Sequence, residues 1–125
     1  MRPLLTALFA VALAAPAGAM PPPLPSVADR SMSELQADIA SGTATVESLA
    51  SAYLVRARAI DPQLRSIIAL NPNALSLANA ADQARRRGAA VGPLFGMPIL
   101  IKDNIETLDA MATTAGSLAL AENVT

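Results

Sequence analysis

Lys102 follows the apolar run Pro98-Ile99-Leu100-Ile101 and precedes Asp103-Asn104. Three branched aliphatics in succession read as a strand buried on both faces, of the kind found in mixed or parallel sheets. The run therefore predicts a lysine carried to the polar end of a sheet strand. Apolar surroundings disfavour an ammonium and favour the neutral amine, which is the form that can take up a proton. Placed in that way, Lys102 is a candidate general base. Asp103 could form an ion pair with it, but neighbours on a strand point to opposite faces. Asp103 is instead expected to accept hydrogen bonds in the turn after the strand.

A second polar cluster, Thr113-Thr114-Ala115-Gly116-Ser117, lies just downstream. Ser117 has the hydroxyl of a nucleophile, yet it precedes a short alanine-leucine helix start at 117–121, where a serine ordinarily caps. Thr113 and Thr114 are expected to shape the loop near the lysine. The chain contains neither Cys nor His. Cysteine nucleophiles, Ser-His-Asp triads, Cys/His zinc sites and disulfides are thereby removed from what these 125 residues could do alone. No metal and no cofactor is called for. A formal net charge of −1 offers no basic patch for nucleic acid, which is not an expected partner.

The elements that must position these residues are mostly helical, because alanine and leucine dominate the apolar content and aromatics make up 2%. Residues 1–19 read as a signal peptide: Arg2 supplies the positive start, 4–15 form a charge-free apolar stretch, and Ala17-Gly18-Ala19 matches a small-x-small cleavage site. The stretch is shorter than the roughly 20 residues of a spanning helix, so no membrane anchor is expected after cleavage. Residues 20–30 are a Pro-rich linker. The folded domain is expected over 31–125.

Ser31 and Glu34 have capping-box spacing, and Gly42 suits the left-handed stop, which predicts a first helix over 32–41. Thr45 caps a second, in which Val46, Leu49, Ala50, Tyr53, Leu54, Ala57 and Ile60 recur at helical spacing until Asp61-Pro62 ends it. Residues 66–70 read as a short strand entering the Asn71-Pro72 turn. Asn73 is expected to cap a third helix, with Leu75, Ala78 and Ala81 inward and Arg85-Arg86-Arg87-Gly88 closing it. The arginine triplet fits a helix terminus better than an anion site, since no phosphate-cradling loop accompanies it. Two strands make no stable sheet, so the chain reads as the N-terminal part of a longer polypeptide.

The segment Gly92-Pro93-Leu94-Phe95-Gly96-Met97-Pro98-Ile99-Leu100-Ile101-Lys102-Asp103-Asn104-Ile105, followed by Thr113-Thr114-Ala115-Gly116-Ser117, resembles the N-terminal part of the amidase signature family. That resemblance implies an α/β class chain, an N-terminal fragment of an α/β/α mixed-sheet fold. It also implies hydrolysis of a carboxamide C–N bond by a Ser-cis-Ser-Lys triad, with Lys102 as the general base. In that scheme a bridging serine relays the proton, a second serine attacks the carbonyl, and backbone amides hold the oxyanion. Both serines belong to a Gly/Ser-rich segment downstream of the lysine motif, absent from this sequence. The T-T-A-G-S serine is not a triad member in the family pattern. The implied partner is a small-molecule or peptide amide, while the signal-like segment 1–19 leads to the expectation of a periplasmic or extracellular location.

Two classes stay open at this point. One is an exported amidase represented by its N-terminal part. The other is a non-catalytic fragment or partner-binding helical module that docks through an uncovered sheet edge. A third reading, the amidotransferase component that supplies ammonia for charged transfer RNA, fits poorly with an export signal.

Overall fold

The computed structural model describes residues 25–89 and 92–124, so the expected signal peptide and the first part of the linker lie outside the described residues. Helix α1 spans Met32–Ser41, α2 Val46–Leu64 and α3 Ala74–Arg86, and a single 3₁₀ turn covers Leu118–Leu120. No strand forms among the described residues. The remainder is turns and irregular chain.

Local chemistry sets the helix ends. Ser31 and Glu34 form a reciprocal capping box on α1: Ser31 N donates to the Glu34 carboxylate at 2.8 Å, and Glu34 N donates to Ser31 Oγ at 3.3 Å. The helix stops at Gly42, whose φ of 79° falls in the left-handed region that favours glycine. Thr45 and Ser48 make a second reciprocal pair at the start of α2. At the end of α3, Ala89 N donates to Ala84 O and Gly88 N to Arg85 O, the two bonds of a Schellman motif, with Gly88 at φ 72°. Arg85 and Arg86 occupy that last turn, as expected of cations at the negative end of a helix.

Several expectations need correction. Helix α2 does not end at Asp61-Pro62 but runs on to Leu64, with Pro62 inside its last turn. The stop comes at Arg65, in the left-handed region at φ 50°. There the Asp61 carboxylate gathers Ser66 N, Ser66 Oγ and Ile67 N. That local cap uses backbone donors of the expected strand at 66–70, which has no strand partner among the described residues. Asn73 takes the capping position of α3 without a side-chain capping bond, and its own N–H is held by Asn71 Oδ1 at 2.8 Å. Leu75 is exposed, whereas Ala78 is buried.

The core is small. Leu35 and Ile39 of α1, Ala44 of the connection, Val46, Leu49 and Ala50 of α2, and Ala78 of α3 form one buried cluster, with Val27, Tyr53, Ala81 and Met97 packed on it. Leu49 is fully buried at its centre. The turns over 92–97 lean on this cluster. Gly96 sits at φ 80°, and a Cβ there would lie 2.6 Å from Val46 Cγ2, so its place in the G-P-L-x-G-x-P motif is set by both backbone and packing. The Gln36 side-chain amide donates to Pro93 O and ties the same loop to α1.

Candidate active site

The run 98–101 is not the buried strand that its composition suggests. Ile99 is 64% and Leu100 81% exposed, and Lys102 is exposed as well. A strand is buried on both faces only when neighbouring strands and covering layers exist, and no described residue pairs with this run. The α/β architecture is accordingly reduced, for these residues, to three helices with irregular connections.

Asp103 orders the chain beyond the run. Lys102 O accepts from Ile105 N at 2.9 Å, closing a turn through Asp103 and Asn104. The Asp103 carboxylate accepts from Thr114 N at 3.0 Å, from the Thr114 hydroxyl, and from Gly116 N at 3.4 Å. Its backbone carbonyl accepts from Ala115 N at 3.0 Å. The hydrogen-bonding role expected of Asp103 is therefore the one it has. The Thr114 hydroxyl and then the Thr114 amide, with lesser help from the Gly116 amide and the positive charge of Lys102, hold its carboxyl below the ordinary aspartate value against the opposing effect of desolvation.

The partner segment is a tight turn. Ser117 N donates to Thr114 O at 2.8 Å, and both central residues have positive φ, Ala115 at 48° and Gly116 at 77°. That is the pattern of a type I′ turn, which glycine adopts freely and alanine does not. Thr113 N donates to Asn123 O at 3.0 Å, and Asn123 Nδ2 donates back to Thr113 O at 3.3 Å, so both threonines shape the loop. Contrary to the capping role expected of it, Ser117 precedes the 3₁₀ turn without making a side-chain capping bond. The loop over 105–112 is tied down separately. Asp109 accepts from Thr107 Oγ1 and Met111 N, both at 2.9 Å, and from Asn71 Nδ2 at 3.3 Å. No cluster of three or more Asp, Glu, His or Cys side chains able to hold a metal ion forms among the described residues.

Reading residue types alone passed over Asp82. It is 7% exposed, and its two carboxylate oxygens accept from Val46 N at 2.9 Å and Glu47 N at 3.0 Å. An acid of α3 thus completes the N-terminus of α2. The available signal was its position four residues after Ala78, on the apolar face of α3.

The part of the chain that carries the site, the Gly-Pro-Leu lead-in, the Lys102-Asp103-Asn104 turn and the Thr114–Ser117 turn, lies within the reach of a known family. The amidase family profile matches residues 48–125. The chain belongs to the amidase family. Over 82% of its length this amidase chain superposes on native peptide amidase from Stenotrophomonas maltophilia, with 45% identity and a TM-score of 0.75, and it covers 21% of that enzyme. An amidase family protein from Bacillus anthracis superposes at a TM-score of 0.69 and 37% identity, covering 75% of this chain and 19% of that one. Among curated sequences, a glutamyl-tRNA(Gln) amidotransferase component of Chloroflexus aurantiacus is 47% identical over 87 residues, 69% of this amidase chain and 18% of the relative. The chain thus spans about a fifth of the length of the relatives it matches.

Proposed function

We propose that this amidase segment supplies the general base of an exported carboxamide hydrolase, with Lys102 as that base in a Ser-cis-Ser-Lys triad. The observation that carries the reading is the binding of the Lys102-Asp103-Asn104 turn to the turn at 114–117, which gives the lysine's backbone a fixed anchor beside an ordered loop. A base must be held within reach of the proton it removes, and an anchored main chain meets the first part of that requirement. The two serines and the oxyanion donors come from chain other than these residues. The 125-residue chain by itself is therefore expected to turn over neither primary nor aryl amides.

The substrate class in this reading is a small-molecule or peptide carboxamide, in keeping with the likeness to a peptide amidase. The amidotransferase alternative is disfavoured by the leader-like 1–19 segment. The test is a graft in which residues 31–124 replace the matching fifth of the Stenotrophomonas maltophilia peptide amidase. Lys102→Met in that graft should abolish amide hydrolysis and leave its circular dichroism unchanged. Turnover near that of the parent graft would defeat the assignment.

A further inference from the structure

We propose that Asp103 is a positioning residue for hydrolysis: it latches the turn that carries Lys102 to the turn at 114–117, with the Thr114 side chain as its required partner. The proposal rests on the reading of Lys102 as the base. Among the described residues, every hydrogen bond that ties residues 102–104 to another segment ends on Asp103. Upstream, the run 98–101 makes no hydrogen bond to a described residue that would hold the lysine in place, and its apolar side chains are exposed. The placement of Lys102 thus depends on the residue after it.

The far side of the latch carries backbone strain. Ala115 is held at φ 48°, a region that an L-residue with a Cβ rarely adopts. Its N–H is taken by the Asp103 carbonyl, the Thr114 amide is taken by the Asp103 carboxylate, and the Gly116 amide is shared between Thr114 Oγ1 at 3.1 Å and that carboxylate at 3.4 Å. Three successive amides of a strained turn therefore point to one residue. The Thr114 hydroxyl adds a fourth donor, to the same oxygen that meets Gly116 N. A carboxylate is needed, since it accepts through both oxygens and donates nothing. An asparagine would set an NH₂ group against N–H donors. As a latch it places the base and need not touch substrate, so its loss is expected to lower kcat and to leave KM nearly unchanged.

In the same peptide amidase graft, Asp103→Asn and Thr114→Val should each lower kcat at least about tenfold with KM within about twofold, as misplacement of a reacting group does. Thr114→Ser, which keeps the hydroxyl, should retain nearly the parent kcat. The double variant Asp103→Asn/Thr114→Val should be no slower than the worse single variant, because both break one unit. Either single variant within about twofold of the parent, Thr114→Ser as slow as Thr114→Val, or additive losses would overturn the latch. Lys102→Met that stays active would instead overturn the reading on which the latch rests. A second measurement needs no enzyme activity: in the 125-residue chain, amide hydrogen exchange at Thr114 and Ala115, whose N–H groups both end on Asp103, should quicken together in Asp103→Asn, and unchanged exchange there would also overturn it.

Discussion

Removing the Asp82 carboxylate should open the start of α2, and the size of the effect depends on the two bonds that are lost. Four amides at a helix N-terminus lack partners within the helix. In α2 the Thr45 hydroxyl serves Ser48 N, and Asp82 serves Val46 N and Glu47 N. Val46 is 3% exposed, so water cannot take over its amide, whereas the exposed Glu47 amide can be rehydrated. A hydrogen bond to a charged group contributes about 1.5–3 kcal/mol, and a buried donor left unmet costs a similar amount. Allowing for rehydration at Glu47, Asp82→Ala should destabilise the local structure by about 3 kcal/mol. That corresponds to roughly a hundredfold faster exchange at the Val46 amide. Asp82→Asn keeps one accepting oxygen and should lose about half as much. Hydrogen exchange read at residue resolution by mass spectrometry tests both variants. Protection of Val46 in Asp82→Ala equal to that of the unaltered chain would refute the reasoning.

Gly96→Ala should free the turns over 92–97 from the helices, at a cost of about 2 kcal/mol or more, since it adds left-handed strain to a Cβ placed 2.6 Å from Val46 Cγ2. Gly42→Ala, at a similar φ but with nothing within 4 Å, should cost only the strain, about 1 kcal/mol, and limited proteolysis of the two variants gives the comparison. The lowered carboxyl of Asp103 fixes the sign of a pH effect. Its contribution is fully present above the ordinary aspartate value of 3.8 and is lost as pH falls through the lower folded-state value. The Thr114 and Gly116 amide resonances should therefore stay constant down to about pH 4 and move only below it, and movement near neutrality would contradict the assignment. Export predicts that protein recovered from a bacterial periplasm begins at Met20, and an intact Met1 terminus in the membrane fraction would count against it.

Most helix boundaries were legible in the sequence, at capping pairs and glycine stops. Ser31 with Glu34, Thr45 with Ser48, and Gly42 and Gly88 at left-handed stops depend on neighbours three to six residues away, so residue type and spacing suffice. That Asp103 accepts hydrogen bonds was legible from an aspartate placed directly after an apolar run, but the partners it accepts from were not. The extent of α2 was not. Pro62 read as a stop, but Asp61 recruits Ser66 and Ile67 below it and lets the helix complete another turn. The burial of 99–101 could not be read from the run itself, because composition reports what a segment would do with neighbours, and burial is a property of the neighbours. Three features belong to tertiary structure alone: Asp82 crossing from α3 to the amides of α2, Gly96 seated on Val46, and Asp103 reaching eleven residues on to Thr114. Each joins positions whose separation in the chain carries no period, and only the packed chain brings them within hydrogen-bond or van der Waals reach.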